Sequence, residues 1–395
     1  MPDTWLTLIG LTEGGAAALT PEAAAALAAA EVVTGPPRHL ALLPALAAEV
    51  QPWPAPFAEG LPGLMALRGR RVAMLVSGDP FWFGAGSVIA RHLAPGDWRA
   101  IPAPSTFALA AARMGWAVEA TLCLGLHAAP LARLRPHLAP GLRALVLLRD
   151  GAAAGELARY LVDQGFGASR LTILESLGGP RERVRVTTAG GYDLTDAAHP
   201  VAAAIEVAGP GATLPRACGR PDEWFDHDGQ ITKRPVRALA LSALAPRAGE
   251  HLWDIGTGSG SIACEWLLAH PTCTATAFEA DAARAARARG NAARLGLDLK
   301  VVDSRAPQGL AGPRPDAVFI GGGLSEGLLQ TLAQGFSGTR LVAHAVTLDS
   351  EALLAQWHGR RGGALLRVEL AEAAPLGTRR GWAPARPIVQ WSVTL

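Results

Sequence analysis

The apolar run Glu250-His-Leu-Trp-Asp-Ile255 passes directly into Gly256-Thr-Gly-Ser-Gly260 and then into Ser261–Ala269, an Ala/Leu-rich stretch of helical composition. A strand, a three-glycine turn and a helix in immediate succession form the opening unit of an α/β nucleoside-binding fold. Glycine lets the backbone turn tightly and approach a ligand, while the free N–H groups of the helix face it. The spacing then discriminates among ligands. A dinucleotide fingerprint requires G-x-G-x-x-G, and Ser261 stands where its third glycine would fall. Asp254, just ahead of the loop, is unfavourable beside a pyrophosphate but suits the amine of a cationic sulfonium ligand. Glu279 closes the next apolar run, Thr274–Glu279, where a carboxylate can accept from ribose hydroxyls.

A chain of 395 residues is too long for one ordinary core and points to two domains. Short apolar runs alternate with Ala/Leu/Arg-rich ones throughout, the pattern of α/β architecture. Strands are predicted at 5–9, 72–76, 145–148, 171–174 and 201–207, and helices at 21–30, 86–93, 105–114 and 155–164. The stretch Ala208-Gly-Pro-Gly-Ala-Thr-Leu-Pro215 interrupts this order, since Gly and Pro disfavour helix and ladder alike. Beyond it, helices are predicted at 235–244, 261–269 and 282–295. Strands are predicted at 250–255, 274–279, 299–302, 316–320, 340–345 and 388–393. We therefore place one domain at 1–210, a linker at 211–230 and a second domain at 231–395. No motif repeats between the halves, so two different folds are joined.

Half the residues are apolar and 18% are charged, and the formal net charge is only +2. Residues 1–210 carry 16 Arg and no Lys against 17 acids, so neither half concentrates the positive charge that nucleic acid requires. Lys233 and Lys300 are the only lysines; arginine elsewhere would suit a carboxylate-rich partner. The cysteines at 123, 218, 264 and 273 form no C-x-x-C pair, which argues against a metal site or a disulfide framework. The start lacks the basic region and apolar run of a signal peptide, and the Ala-rich stretch 23–30 is too short to span a bilayer. A cytoplasmic protein without membrane or nucleic-acid partners is expected.

The first half has its own landmarks. The run 72–76 ends in Ser77-Gly-Asp-Pro80 followed by Phe81-Trp-Phe-Gly84, a turn at a strand end. Ser105 and Thr106 open a helical stretch, supplying hydroxyl and amide donors. Gly10 is followed by Leu-Thr-Glu-Gly-Gly15, and Thr20-Pro21 has the form of an N-cap with proline at the first helical position. Gly35-Pro-Pro-Arg-His-Leu40 lies between.

This ordered set resembles the tetrapyrrole methylase family over about residues 4–208, in the branch that methylates carbon 5 of a precorrin ring. The resemblance implies that Gly10, Ser77, Gly78, Asp79, Pro80, Ser105 and Thr106 hold S-adenosylmethionine. It places Asp79 at the catalytic centre, with Arg38 and His39 as landmarks on the substrate side. The family's usual G-x-G-P-G loop is replaced here, although Gly14 and Gly15 preserve its flexibility. In the second half, the D-x-G-x-G-x-G run with Glu279 resembles the class I, Rossmann-like methyltransferases. Gln230–Arg237, Ala306-Pro307, Ala317–Gly323 and Ala343–Leu348, in that order, resemble the decarboxylating precorrin methyltransferase domain over about residues 224–395.

That second resemblance implies that Gly256, Thr257, Gly258, Ser259, Gly260, Glu279, Thr232 and Ala306 line an adenosylmethionine pocket, with Gly321, Gly322 and Gly323 bordering a tetrapyrrole. Pro235, Ser304-Arg305 and His344 depart from the residues usual there. His344 is a catalytic candidate, either bonding a pyrrole or a side-chain carboxylate, or a plain strand-end histidine. Arg234 and Arg237, with Arg379 and Arg380, are candidate donors to substrate carboxylates. Joined in this order, the two domains imply a bifunctional enzyme with one adenosylmethionine site per domain, expected to be a homo-oligomer. It would methylate precorrin-6B at carbons 5 and 15 and release the carboxyl of the carbon 12 acetate, giving precorrin-8 in cobalamin biosynthesis. Two alternatives stay open: an RNA methyltransferase, and an adenosylmethionine-binding protein with one inactive domain.

Overall fold

The computed structural model describes residues 4–395. The chain divides into two compact units, residues up to 131 with Leu138–Ala212, and Ala132–His137 with Thr213–Leu395. In the first unit, Leu6–Leu11 (β1), Val32–Gly35 (β2), Glu49–Pro52 (β3), Val72–Ser77 (β4) and Trp98–Ile101 (β5) form an all-parallel sheet in the order β3-β2-β4-β1-β5. Its central strands are predominantly apolar because both faces are covered. Leu6, Leu8, Val72 and Met74 pack on one face with Trp53 and Leu64, while Ile9, Ala73 and Leu75 pack on the other with Ala23 and Leu27. That alternation is the period of two that a strand imposes.

Leu122–Gly125 (β6), Arg143–Leu148 (β7), Arg170–Glu175 (β8), Arg183–Thr188 (β9) and Val201–Glu206 (β10) form a second, mixed sheet in the order β6-β7-β10-β8-β9. The helix Thr106–Met114 lays Phe107, Ala110 and Ala111 against Leu145, Leu174 and Ala202 of this sheet. Five of these ten strands were not anticipated. β2, β3, β5 and β6 have only four residues each, and β9 is a charged edge strand whose Arg183 and Arg185 pair with Glu175. The helix expected at 86–93 is confined to Gly86–Ile89, and the one expected from 155 starts at Gly151, where the Asp150 carboxylate accepts from Ala153 N.

The second unit is a seven-stranded sheet built from His251–Ile255 (β11), Thr274–Glu279 (β12), Lys300–Asp303 (β13), Ala317–Ile320 (β14), Arg340–Ala345 (β15), Ala364–Val368 (β16) and Ile388–Thr394 (β19). Ala371–Leu376 (β17) and Arg379–Pro384 (β18) form a separate hairpin. The sheet order is β13-β12-β11-β14-β15-β19-β16, parallel from β13 to β15, with β19 antiparallel to its neighbours. This is the Rossmann-like arrangement expected from the glycine loop. The helices Glu326–Gly335 and Leu348–Arg361, absent from the sequence expectation, cover one face with Leu328, Leu332, Leu354 and Trp357. Among the described residues, no helix is long and apolar enough to cross a membrane.

Arg237, expected to meet a substrate carboxylate, does something else. It is fully buried on the helix Arg234–Leu244, and its guanidinium lies 4.9 Å over the Phe225 ring. Its Nε donates to Glu265 at 2.7 Å, its Nη1 to the Thr232 carbonyl and its Nη2 to the Arg220 carbonyl. Glu265 also accepts from the amides of Gly219 and Arg220 and from the Arg220 side chain. Arg237 therefore staples the segment entering the second unit, and its buried charge is matched on every side. Replacing Glu265 with Ala strands two buried guanidinium groups and two amides. It should destabilise the second unit by about 3–5 kcal/mol, read as a fall in its denaturation midpoint.

Candidate functional site

A cavity of about 850 Å³ in the second unit opens at the carboxyl ends of β11, β12, β14 and β15. Open α/β sheets bind ligands at this edge, because loops there are free of the ladder. Gly256, Gly258 and Gly260 all adopt left-handed φ values of +66°, +57° and +75°. At Gly256 a side chain is also sterically forbidden: a Cβ would lie 2.6 Å from the Cα of Gly322. The two loops leaving adjacent strands thus touch backbone to backbone, and the cavity floor is formed by peptide groups. Glu279, at the end of β12, lines the cavity; its Oε1 accepts from Ala280 N and Asp281 N and its Oε2 from Gly258 N at 2.9 Å. Oε2 carries a single bond and keeps acceptor capacity for a hydroxyl.

Asp254 is buried beneath the loop and does not line the cavity. Its Oδ2 accepts from the Thr257 hydroxyl at 2.6 Å and from Ala263 N at 3.1 Å, joining the loop to the following helix. Oδ1 is buried without a hydrogen-bond partner. Burial pushes the carboxyl up to about 7, against the opposing pull of the Thr257 and Ala263 bonds. The expectation that this acid faces a cationic ligand is thereby corrected: it shapes the loop from below.

His344, on β15, lines the cavity, with Nε2 3.0 Å from Gln390 Oε1 and its ring edge-on to Phe319 at 4.9 Å. Burial pushes its pKa down, against the Gln390 bond, so the ring is neutral near pH 7. Thr232, Gly256, Thr257, Gly258, Ser259, Ala306 and Gly321–Gly323 all line the same cavity. Gly260 does not; it packs against Ala288, where a Cβ would meet it at 3.0 Å. Arg234 also lies off the cavity, donating to the Gly219 carbonyl, and Arg379 and Arg380 sit on the exposed β18 strand. The cations that do line it are Lys233, Arg284, Arg305 and Arg386. Arg284 is engaged with Asp228 and Gln230, whereas the other three form no ion pair among the described residues. Composition held no sign of this, since the sorting depends on which loops converge.

In the first unit a smaller cavity of about 190 Å³ lies at the carboxyl ends of β1 and β4, lined by Thr12, Glu13, Arg38, Ser77, Gly78, Thr106, His127 and His199 among others. Gly10 is not in the lining but makes it possible, since a Cβ there would lie 2.0 Å from the Gly78 carbonyl oxygen. Arg38 forms an ion pair with Glu13 and donates to Ser77 Oγ at 2.9 Å, and His39 Nε2 lies 3.2 Å from the same hydroxyl. His39 is buried just behind this wall, where burial and the nearby Arg38 charge push its pKa down to about 3.

Three first-unit candidates lie elsewhere than on this cavity's wall. The Asp79 carboxylate accepts from Phe81 N at 2.8 Å, closing the turn, and Asp79 is not in the cavity lining. The Ser105 hydroxyl caps its own helix by accepting from Ala108 N at 3.1 Å. Pro80 is buried against Gly84 and Gly86 rather than lining the cavity. Glu13, His127 and His199 were missed, because nothing in their local sequence marks them.

Two outcomes test this geometry. Gly256→Ala should abolish ligand binding in the second unit, measured by calorimetry, because left-handed strain and the collision with Gly322 act together. The raised Asp254 pKa means that the folded state favours the protonated acid. Its stabilising contribution is full below 3.8 and is lost as pH rises through about 7. Asp254→Asn should flatten the stability–pH curve across that window, followed by urea denaturation.

Comparison with known proteins agrees with this division of the chain. A model of the tetrapyrrole (corrin/porphyrin) methylases matches residues 6–192, and a model described as a precorrin methyltransferase domain matches residues 223–395. A precorrin-6Y C(5,15)-methyltransferase [decarboxylating] from Sinorhizobium sp is 51% identical over 99% of this chain and 96% of its own. The protein of that name from Mycobacterium tuberculosis is 39% identical over 98% of this chain and 99% of its own. A cobalt-precorrin-6B C(15)-methyltransferase (decarboxylating) from Salmonella typhimurium is 33% identical over 40% of this chain and 85% of its own. With that identity along nearly its whole length, the chain belongs to the family of decarboxylating precorrin-6Y C(5,15)-methyltransferases.

Proposed function

We propose that the two units are separate methyl-transfer sites acting on one precorrin, the first at carbon 5 and the second at carbon 15 with loss of the carbon 12 acetate carboxyl. Each would hold one S-adenosylmethionine. The observation that carries the reading is the convergence, in the second unit's cavity, of the left-handed glycine loop, a strand-end carboxylate with acceptor capacity to spare and a neutral histidine.

A flat adenosyl group fits this floor, because peptide groups at Gly256 and Gly322 leave no side chain in its way. Glu279 Oε2 would accept a ribose hydroxyl, and Thr232 and Ala306 border the same cavity. The cofactor supplies an activated methyl group on a sulfonium, so the protein has no nucleophile to ionise. The chain's contribution is alignment of an enamine-like ring carbon with that methyl, and positioning of this kind is worth about 7–11 kcal/mol. Lys233, Arg305 and Arg386 offer unpaired charges to the acid side chains of a precorrin. His344, neutral and tied to Gln390, is placed to hold or pass a proton at the ring. Once carbon 15 is methylated, the conjugated iminium accepts the electron pair of the acetate C–C bond, and carbon dioxide leaves without a further cofactor. In the first unit, Ser77, Gly78 and Thr106 would border the cofactor, and Arg38 would meet the substrate edge.

Incubation of the full chain with precorrin-6B and isotope-labelled S-adenosylmethionine tests the proposal by mass spectrometry. Addition of two methyl groups with loss of carbon dioxide is the expected product. Addition of one methyl group would remove one unit from the scheme.

A further inference from the structure

At the carbon 15 site proposed above, loss of carbon dioxide leaves an exocyclic methylene conjugated with carbon 15, which then carries both its own hydrogen and the new methyl group. The last step moves one proton from carbon 15 to that methylene. One C–H bond breaks, one C–H bond forms and the double bonds shift between them, so no proton is gained or lost overall. A single neutral base that accepts this proton and gives it back ends as it began.

His344 and Gln390 stand directly opposite each other on the antiparallel strands β15 and β19, and both are buried. Their side chains meet at 3.0 Å, His344 Nε2 against Gln390 Oε1. A carbonyl oxygen only accepts, so the imidazole hydrogen sits on Nε2 and the lone pair on Nδ1. Nδ1 has no hydrogen-bond partner among the described residues and, unlike Asp254 Oδ1 beneath the glycine loop, is not sealed off by protein. It opens on the cavity that His344 lines, whereas Gln390 does not line it. Phe319 of β14 meets the ring edge-on at an interplanar angle of 87° and holds its plane. A histidine kept only for the sheet would have its second nitrogen bonded or buried; this one faces ligand space.

We propose that Gln390 is a positioning residue for the carbon 15 reaction: it holds His344 as the Nε2–H tautomer, and Nδ1 carries the proton from carbon 15 to the methylene. The inference rests on the reading of the second unit as the carbon 15 site. The charged groups that share the cavity are Lys233, Glu279, Arg284, Arg305 and Arg386, and none bonds to the ring. On the helix Arg234–Leu244, which packs on β15, Arg234 and Arg237 are bound to Gly219 and Glu265. On the helix Leu348–Arg361, which also packs there, Asp349, Glu351, His358, Arg360 and Arg361 make no bond to the ring. Burial pushes the pKa of His344 below 6.5, against the Gln390 bond, so the ring is unprotonated near pH 7 and ready to accept.

Gln390→Leu removes the acceptor and frees the hydrogen to move to Nδ1. Single-turnover formation of the fully conjugated carbon 15 product, followed by absorbance, should fall by about 10–100-fold, the usual loss when the partner that orients a histidine is removed. Methylation at carbon 5 and S-adenosylmethionine affinity should be unchanged. Gln390→Glu still accepts from Nε2 but places a carboxylate there, which favours the imidazolium. It should restore most of the rate, and the acid limb of the pH profile should move to higher pH than in the wild type, whose limb lies below 6.5. A purely structural Gln390 would not move that limb. An unchanged rate in Gln390→Leu, or a limb that stays in place in Gln390→Glu, would overturn the assignment and leave the two-site reading standing. Should Gln390→Leu fail to fold, seen as lost S-adenosylmethionine binding, the Gln390→Glu profile decides alone. Wild-type enzyme that never methylates carbon 15 would sink the reading itself.

Discussion

Both units depend on a backbone-to-backbone contact between the loops that leave two adjacent parallel strands. In the second unit Gly256, after β11, meets Gly322, after β14. In the first, Gly10 near the end of β1 meets the Gly78 carbonyl after β4. At each junction a single Cβ would collide at 2.6 Å or less with main-chain atoms that cannot rotate aside. The sheets differ in topology and share no motif, yet each makes its cavity floor from peptide groups where strands end. A flat ligand can lie against such a floor, and hydroxyl or carboxylate side chains at the rim then orient it.

Around these floors, the titratable groups fall into two kinds. Asp254 and His39 are buried behind the loops, and burial pushes each toward its neutral form, Asp254 up to about 7 and His39 down to about 3. They brace the loops: Asp254 through Thr257 and Ala263, His39 through Ser77. Glu279 and His344 instead line the second unit's cavity and keep hydrogen-bonding capacity toward it. Methyl transfer from a sulfonium asks for this division, since it needs alignment and a place for one proton.

Much of the second unit was legible in the sequence. Six of its strands and its first three helices coincide with apolar runs visible in the sequence, and the glycine spacing argued against a dinucleotide, whereas the strands at 364–368, 371–376 and 379–384 were not anticipated. The helices at 326–335 and 348–361 lacked such a landmark. In the first unit the four-residue strands were too short to show a period of two, and β9 alternates arginine with valines that stay exposed, so it has no apolar face to mark it. Charge recognition was least legible. Arg237 and Lys233 lie four residues apart, yet one is fully buried against Glu265 and the other borders the cavity. Burial, which decides between stapling a segment and meeting a substrate, is a property of the assembled fold. Glu13 escaped notice for the same reason: its partner, Arg38, is distant in sequence.

The central claim is that two separate floors each hold one cofactor. Calorimetric titration of the full chain with S-adenosylmethionine measures this directly. The account predicts two sites per chain, reduced to one by Glu279→Ala, which removes the acceptor in the second unit while leaving the first untouched. A single site in the wild-type chain, or two sites that survive Glu279→Ala with unchanged affinity, would contradict it.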